Sequence, residues 1–349
     1  MNNILLLTDK LITGGAEMYF CKLENHLKGE NMTFYSAAAT GELYHQIHNK
    51  HHFIPLSLKN HPANLYTLSK QVMKLNIDVI HANSFRMLLY SIAIKKITKK
   101  RMKLIYTKHN VTILEKKFPA LLKKVLNQHV HQIIAVSNFE KDSLLQLGIR
   151  KDLIRTIYNG VDVKHFSFQQ IQPKETLNIG ILARLSKEKN HELFLKIANE
   201  LKYVRNVMFY IAGDGPERDF IEKMIHDFKL NHKVKLLGNT SNPYEFICSM
   251  DLLLLTSLRE VFPMVVIEAM ASGTPIISVD VGGIKEAIID DETGILVSHH
   301  SEKEFAKKIQ LLHDNQNLRK CLGKAAREKV EEAFSLSNMI HSTLETYQY

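Results

Sequence analysis

The chain has 349 residues, more than one hydrophobic core usually holds, so two domains are expected. Hydrophobic residues make up 45% and charged residues 23%, a balance that excludes a disordered or fibrous protein. The longest apolar runs are strand-sized, and none approaches the roughly 18–20 residues of a membrane span. The opening run Asn3–Thr8 is too short for a secretory signal. Cys21, Cys248 and Cys321 are odd in number and far apart, which predicts a reducing cytoplasm rather than a disulfide or zinc framework.

The net charge of +10 is concentrated in the first half of the chain. Residues 1–170 carry 24 Lys and Arg against 11 Asp and Glu, whereas residues 171–349 carry 22 against 25. The first half is therefore expected to meet an anionic partner. Its basic residues form two patches: Lys95, Lys96, Lys99, Lys100, Arg101 and Lys103, then Lys116, Lys117, Lys123 and Lys124.

Apolar residues accompany the second basic patch at helical spacing. They are Phe118, Leu121, Leu122, Val125 and Leu126. A basic and apolar helix of this kind suits an anionic lipid surface, so we expect contact with the inner face of the cell membrane. A plain solvated surface is the alternative. Nucleic acid is not expected as a partner, because no DNA- or RNA-binding signature is present.

Short β-rich runs alternate with amphipathic segments from the first residue onward, which is typical of parallel α/β sheets. In the first half, strands are predicted at residues 3–8, 32–37, 79–82, 103–107, 132–136 and 154–158. Helices are predicted between them near residues 16–27, 65–75, 87–97, 121–129 and 139–147. The polar segment Asp162–Lys174, which contains Pro173, is interpreted as a linker.

A second series of strands follows at residues 177–183, 207–212, 234–237, 251–256, 275–279 and 294–297. We therefore predict two Rossmann-like parallel-sheet domains, residues 1–165 and 175–332, that face each other across a cleft. A helix at about residues 333–349 is expected to pack back on the first domain. Ligands bind such sheets at the carboxyl ends of the strands.

Two groups of residues at predicted strand ends carry the chemistry. Gly14 and Gly15 follow the first strand and open a helix, where free N–H groups suit an anion. This turn is not the dinucleotide fingerprint GxGxxG. Glu260 and Glu268 lie eight positions apart after the strand that ends near Thr256, with Pro263 suited to the first turn of the helix between them.

The run Ser257–Glu286, which includes the turn Gly282–Gly283, resembles the donor-site signature of retaining nucleotide-sugar glycosyltransferases of family 4. These enzymes have the two-domain GT-B fold. The resemblance extends over nearly the whole chain. Further matching residues occur in the same order as in the family: Gly14–Glu17, Thr107–Asn110, Val136–Ser137, Asn159–Asp162, Arg184, Lys189, Gly213–Pro216 and Val234–Gly238.

The resemblance implies a role for each matching position. Arg184 and Lys189 neutralise the leaving diphosphate, Glu268 accepts the ribose hydroxyls and Glu260 touches the sugar. His109 bonds a donor-sugar hydroxyl and completes the catalytic set. The remaining donor-binding positions are Gly14, Gly15, Gly238, Phe262, Pro263 and Met264.

Two further residues are candidates for the acceptor side. His81 lies within the predicted strand 79–82, in a setting like that of His109, with a core histidine as the alternative. Ser137 could shape the acceptor side or cap the next helix. Val261 stands where the family usually has Gly, and Val does not readily adopt positive φ, so the local turn or the sugar pocket is expected to differ.

The sequence thus predicts a metal-independent transferase without a cofactor. It would move a sugar, with UDP-sugar as the favoured donor, to a glycan or lipid-linked acceptor in bacterial cell-envelope polysaccharide or teichoic-acid-like synthesis. Retention could arise from same-face attack, which we favour, or from a covalent intermediate. The alternatives are a non-catalytic basic adaptor for membrane or nucleic acid and a Rossmann-type oxidoreductase.

Overall fold

The computed structural model describes residues 2–110, 112–170, 172 and 174–348. Its contacts divide the chain into two compact units. The first unit comprises residues 1–159 together with residues 339–349, and the second comprises residues 160–338. Within the described ranges, no helix is both long enough and apolar enough to cross a bilayer.

A parallel sheet forms the centre of the first unit. Its strands are β1 (Asn2–Lys10), β2 (Met32–Ala39), β3 (Phe53–Leu56), β4 (Val79–Ala82), β5 (Lys103–Lys108), β6 (Gln132–Ala135) and β7 (Ile154–Thr156). Their order across the described sheet is β3-β2-β1-β4-β5-β6-β7, and each of these pairings is parallel. The order reverses direction next to β1, which is where open α/β sheets bind ligands.

Helices connect these strands: α1 (Gly15–His26), α2 (His61–Lys74), α3 (Phe85–Thr98), α4 (Ile113–Lys117), α5 (Pro119–His129) and α6 (Asn138–Gln146). Side-chain caps determine where several of them begin. Asn60 accepts from the Ala63 N–H at the start of α2, and Ser84 accepts from the Met87 N–H at the start of α3. β1 and β4 are buried along most of their length, as expected when helices cover a parallel sheet.

A second parallel sheet forms the centre of the second unit. Its strands are β8 (Leu177–Leu182), β9 (Val207–Ala212), β10 (Val234–Gly238), β11 (Leu252–Leu255), β12 (Ile276–Val279) and β13 (Ile295–Val297). Across the described residues they run in the order β10-β9-β8-β11-β12-β13. The order reverses between β8 and β11, so the loops after these two strands lie at the switch point of the sheet.

The helices of the second unit are α7 (His191–Glu200), α8 (Arg218–Asp227), α9 (Pro243–Ser249), α10 (Met264–Ser272), α11 (Ile284–Ala287), α12 (Glu302–Asp314) and α13 (Gln316–Ala333). The last helix, α14 (Leu336–Gln348), contributes the residues from Met339 onward to the first unit. There the buried hydroxyl of Tyr347 hydrogen-bonds His81, and Glu345 forms an ion pair with Arg155.

The segment Asp162–Lys174 was predicted as a linker, but its described residues pack as part of the second unit. Residues 162–170 belong to the second unit, where the Phe166 side chain is buried. The Arg327 guanidinium donates to the carbonyl oxygens of Phe166 and Val163 at 2.7 and 3.0 Å. These two hydrogen bonds and the buried Phe166 side chain hold the segment against the second unit. Pro173, part of the same prediction, lies outside the described residues.

The strand predictions are confirmed to within about two residues in both units, and together they establish the α/β class with two Rossmann-like sheets. One strand was missed. β3 is four residues long and contains Pro55, which weakens any strand pattern because proline lacks the N–H of a ladder bond. It pairs beside β2.

Candidate functional site

A short ion pair joins two predicted catalytic residues in the second unit. Nζ of Lys189 lies 2.6 Å from Oε1 of Glu260. The Glu260 side chain is 8% exposed and that of Lys189 is 26% exposed, so the carboxylate is nearly enclosed while the ammonium still reaches solvent. A largely buried pair of this kind attracts more strongly than an exposed one.

The two loops that carry this pair are joined by two hydrogen bonds to backbone carbonyls. The Leu258 N–H donates to the Glu188 carbonyl at 2.8 Å, and the Thr256 hydroxyl donates to the Lys189 carbonyl at 3.0 Å. Thr256 follows β11, and Glu188 and Lys189 lie on the loop after β8. Because β8 and β11 are neighbours at the switch point, both residues lie at one carboxyl edge of the sheet.

Gly282 makes room for the backbone at Glu260. It has φ +62°, and a Cβ there would overlap the Glu260 carbonyl oxygen. Only glycine fits a position that combines positive φ with such an approach. The residue after Glu260 needs no such freedom, since Val261 is not among the residues with positive φ. The left-handed residue in contact with the Glu260 backbone is Gly282, and the expected difference in the local turn or the sugar pocket at Val261 stays a prediction.

The other donor-site candidates of the second unit lie at the same carboxyl edge. Arg184 is exposed on the loop after β8, and it has no ion pair with any residue that the structure describes. Glu268 is partly buried on α10. Gly238 ends β10 with φ +75°, and its carbonyl accepts from the Gly213 N–H at 2.8 Å. Strand-end loops of β8, β10 and β11 thus bring most of the predicted residues to one edge.

Helix α10 begins immediately after Glu260 and its loop. Pro263 is the N-cap, and Met264 is the first helical residue. Phe262 is buried against Phe334, with ring centroids 5.2 Å apart, so its ring is part of the core. A ligand could therefore meet the backbone of this turn rather than the Phe262 side chain. The first N–H groups of a helix suit an anionic ligand.

In the first unit, Gly14 is the N-cap of α1 and Gly15 is its first residue. Gly14 has φ −177°, an extended conformation open to any residue. A Cβ on Gly15 would meet no atom within 4 Å. Backbone geometry therefore demands neither glycine, but a Cβ on Gly14 would overlap the Glu17 carboxylate, which lies beside the start of α1.

His109 follows β5 and contacts two residues of the same unit. Its Nε2 lies 2.7 Å from Oδ1 of Asn83, and its ring meets the Tyr19 ring edge-on with centroids 4.7 Å apart. Burial lowers the pKa of His109 to about 3, so the ring is neutral at physiological pH. Asn83 and Tyr19 were not predicted. Asn83 directly follows β4, and this strand-end position is the sequence feature that could have indicated a site residue.

His81 and Ser137 serve the fold. His81 is 1% exposed, and its ring nitrogens lie 2.7 Å from the Tyr347 hydroxyl and 2.6 Å from the Thr107 hydroxyl. Burial, with a smaller contribution from His109, lowers the pKa of His81 to about 3. The Ser137 hydroxyl accepts from the Glu140 N–H at the start of α6. The alternatives of a core histidine and a helix cap therefore describe these residues, and we propose no ligand contact for either.

Sequence reasoning also missed His191, the first residue of α7. It is 3% exposed, and neither ring nitrogen has a hydrogen-bond partner among the residues described. Burial, followed by the charge of Lys189, lowers the pKa of His191 to about 4. Its side chain and that of Ser186 line a cavity of about 510 Å³ between the starts of α7 and α8. No predicted site residue lines this cavity.

The described ranges contain no group of three or more His, Cys, Asp or Glu residues that could hold a metal ion. The predicted charged site residues at the carboxyl edge of the second sheet are Arg184, Lys189, Glu260 and Glu268. Two cations and a helix N-terminus at one sheet edge suit a phosphate-bearing ligand. The two carboxylates suit hydroxyl groups, for which they are strong acceptors.

Two family models match the chain. The model for glycosyl transferases group 1 covers residues 162–329, and the model for Glycosyltransferase Family 4 covers residues 13–165. A relative is the N-acetyl-alpha-D-glucosaminyl L-malate synthase of Bacillus anthracis, 30% identical over 78% of this chain and 75% of that one. Another is the poly(ribitol-phosphate) alpha-N-acetylglucosaminyltransferase of Staphylococcus aureus, 30% identical over 64% of this chain and 41% of that one.

Among solved structures, Anabaena HepE in complex with UDP and glucose has a TM-score of 0.84 to this chain. It is 21% identical, and the match covers 99% of both chains. A likeness at this identity establishes the fold. Together with the two parallel sheets, it shows the two-domain GT-B fold.

The relatives and family models then narrow this fold to one family. The chain belongs to glycosyltransferase family 4, and it is a glycosyl-transferring enzyme. The resemblance drawn from the motifs of the sequence is thereby confirmed. The comparisons do not favour the adaptor or oxidoreductase alternatives.

Proposed function

We propose that the chain transfers a sugar, with retention of anomeric configuration, from a UDP-sugar to a glycan or lipid-linked acceptor. The observation that carries the proposal is the 2.6 Å pair of Lys189 and Glu260 at the switch point of the second sheet. UDP is the nucleotide in the HepE complex, which supports it as the first donor to test. Arg184, exposed on the Lys189 loop, supplies a second cation.

Each side chain of the second unit has a proposed task. Arg184 and Lys189 bind the diphosphate and neutralise the charge that grows on it as the sugar–phosphate bond breaks. Glu268 accepts hydrogen bonds from the ribose hydroxyls. Glu260 orients Lys189 and meets the sugar. The backbone at Gly238 meets the base, and the first N–H groups of α10 meet sugar or phosphate.

In the first unit, His109 is assigned to a hydroxyl of the donor sugar, and Gly14 and Gly15 are assigned to the donor through the N–H groups at the start of α1. We favour attack on the same face that the diphosphate leaves. In that route the sugar–phosphate bond breaks as the acceptor oxygen bonds the anomeric carbon, and the departing phosphate oxygen takes the proton of the acceptor hydroxyl. Arg184 and Lys189 stabilise the negative charge that develops on the diphosphate. Glu260 already bonds Lys189, which makes it a poor free nucleophile for the covalent route.

Donor binding and transfer test this assignment separately. Thermal shift with UDP-, GDP- and ADP-sugars, each beside its free nucleotide, should show stabilisation by one nucleotide series. The selected donor should then be consumed when candidate glycan or lipid-linked acceptors are added, with an α-linked donor giving an α-linked product. An inverted product would contradict retention. Absence of stabilisation by any nucleotide sugar would contradict the donor-site assignment.

We further propose that the first unit meets an anionic lipid or polymer surface through α4 and α5. Phe118 is 59% exposed and Leu121 is 50% exposed, although both are large and apolar. The four exposed lysines around them are Lys116, Lys117, Lys123 and Lys124. Apolar side chains beside lysines bind anionic bilayers by combining insertion with charge attraction. The charged poly(ribitol phosphate) in the name of one relative is the same kind of partner.

Ionic contacts within the fold hold this surface in place. Lys108 is 1% exposed and pairs with Glu115 of α4 at 3.1 Å and with Glu140 of α6. A buried cation with two carboxylate partners keeps α4 against the unit. The surface, defined by Lys116, Lys117, Phe118, Leu121, Lys123 and Lys124, is therefore presented by a supported helix pair.

Co-sedimentation with anionic and neutral vesicles at low and high salt tests this surface. We expect binding to anionic vesicles that weakens steeply with salt, since exposed charges are screened. Changing Lys116, Lys117, Lys123 and Lys124 to Ala should abolish it. Changing Lys303 and Lys307, two exposed lysines of α12, to Ala should not. Equal binding to neutral vesicles, or unchanged binding by the quadruple variant, would contradict the proposed contact and favour a plain solvated surface.

A further inference from the structure

Asn83 joins the glycine turn of the first unit to His109. Its Nδ2 donates to the Ala16 carbonyl at 2.7 Å, and its Oδ1 lies 2.7 Å from Nε2 of His109. Asn83 is 4% exposed, so water does not compete freely for these bonds. Ala16 follows Gly14 and Gly15 in the first turn of α1.

The chemistry of the two neighbours determines how this amide is oriented. A backbone carbonyl only accepts, so the amide NH₂ of Asn83 must face Ala16 and its oxygen must face His109. That oxygen also only accepts, so Nε2 of His109 must carry the proton. A neutral imidazole has one N–H, and the lowered pKa of His109 keeps it neutral. Nδ1 is then left with a lone pair, and no described residue bonds it.

We propose that Asn83 is a positioning residue that fixes His109 as its Nε2–H tautomer, so that Nδ1 accepts a hydrogen bond from a sugar hydroxyl. The assignment of a sugar to His109 rests on the proposed function, whereas the tautomer does not. An acceptor at Nδ1 selects a ligand group with a proton to give. It disfavours a phosphate oxygen or an O-methyl group, which only accept.

His81 provides a contrast within the same unit. Its ring nitrogens face the hydroxyls of Tyr347 and Thr107, and a hydroxyl both donates and accepts. These bonds are compatible with either tautomer. The amide of Asn83, fixed by the Ala16 carbonyl, is what gives His109 one tautomer.

The tautomer is measured directly by NMR of the ligand-free protein labelled with ¹⁵N-histidine. His109→Gln identifies the His109 signals by their loss. At neutral pH we expect a pyrrole-type nitrogen at Nε2 and a pyridine-type nitrogen at Nδ1. A protonated Nδ1, or a charged ring, would overturn the proposal. Because no substrate is present, this outcome is independent of whether sugar transfer is correct.

Kinetics then test what the tautomer does. Asn83→Ala should mix the two tautomers of His109 and lower kcat/KM for the nucleotide sugar about tenfold, with the affinity for the free nucleotide unchanged. The matched control is Asn64→Ala, since Asn64 is also a buried asparagine and bonds the Ser57 backbone in the same unit. It should leave the His109 signals unchanged. A single Nε2–H tautomer that persists in Asn83→Ala would overturn the role of Asn83.

The sugar itself gives the second readout. Donors that are deoxygenated or O-methylated at single positions should include one whose penalty in kcat/KM is large with the natural protein and small with His109→Ala. Equal penalties in both proteins at every position would overturn the hydroxyl contact. If the natural protein turns over no donor at all while the tautomer is as expected, the proposed function fails and the positioning role of Asn83 stands.

Discussion

Lys189 and Glu260 are 71 residues apart in sequence, yet Nζ of one lies 2.6 Å from Oε1 of the other. The contact exists because β8 and β11 are adjacent at the point where the sheet reverses its order. A donor diphosphate that reaches Lys189 would interact with an ammonium group that is already paired with the Glu260 carboxylate. The carboxylate of Glu260 therefore holds the Lys189 ammonium group in one orientation.

The first prediction concerns Lys189. Lys189→Ala should lower kcat by roughly 10²-fold, the loss typical of removing one stabiliser of transition-state charge, and it leaves the largely buried Glu260 unpaired. Steady-state kinetics with the selected donor check this. Lys187→Ala is the matched control, because Lys187 is exposed two positions away and should be near-neutral. A fully active Lys189→Ala would refute the phosphate role.

A separate prediction concerns Arg184. Arg184→Ala should also reduce turnover by roughly 10²-fold, but without loss of stability, since the exposed side chain has no ion pair within the described residues. Thermal unfolding and kinetics are measured on the same preparation. Arg205→Ala, another exposed arginine of the second unit, should change neither quantity. Normal turnover in Arg184→Ala would mean that Lys189 acts alone.

Glu268 is expected to act on binding rather than on the chemical step. Glu268→Ala should mainly raise the donor KM, because a ribose contact is equally strong in the ground state and the transition state. Comparing kcat with KM separates these effects. A pure loss of kcat with unchanged KM would place Glu268 at the reacting sugar instead.

The sequence contained enough information for the sheets and for the strand ends that carry Lys189, Glu260 and Glu268. Alternating buried runs predict parallel strands, and parallel strands bring their carboxyl ends to one edge. The sequence could not show the partners that fix these residues. Asn83 was missed as a partner of His109 because their contact depends on side-chain rotamers across β4 and β5, which no periodicity encodes.

His81 illustrates the opposite limitation. A histidine at a strand end is equally compatible with a ligand contact and with the core. What decides between them is Tyr347, 266 positions later, whose hydroxyl reaches the ring from α14. Such a distant contact is set by the tertiary fold.

Two glycine substitutions should separate backbone support from ligand access. Gly282→Ala should lower both stability and activity strongly, since its φ of +62° and its contact with the Glu260 carbonyl leave no room for Cβ. Gly15→Ala should keep the unfolding temperature, because a Cβ there meets no atom within 4 Å. If the donor approaches the start of α1, Gly15→Ala should still raise its KM. An unchanged KM would remove Gly15 from the donor site.

The last prediction concerns the dependence of stability on pH. His191 is 3% exposed, and burial lowers its pKa from 6.5 to about 4. Between these values the unfolded chain binds the proton and the folded chain does not, so stability is fully present above pH 6.5 and is lost as pH falls toward 4. The loss amounts to roughly 1.4 kcal/mol for each pH unit in that window for one such histidine.

His191→Leu removes this titration and the two unpartnered nitrogens. It should therefore make the fall of the urea midpoint between neutral pH and about pH 5 less steep, and raise the midpoint itself because a buried polar group without a partner is costly. His81 and His109, whose pKa values are lowered to about 3, titrate over the same window, so their two equal contributions to the slope remain in the variant. Exposed His51, changed to Leu, is the control and should leave the slope unaltered. An equally steep fall in His191→Leu would mean that the His191 ring is hydrated in the folded protein, with water in the neighbouring cavity serving both nitrogens.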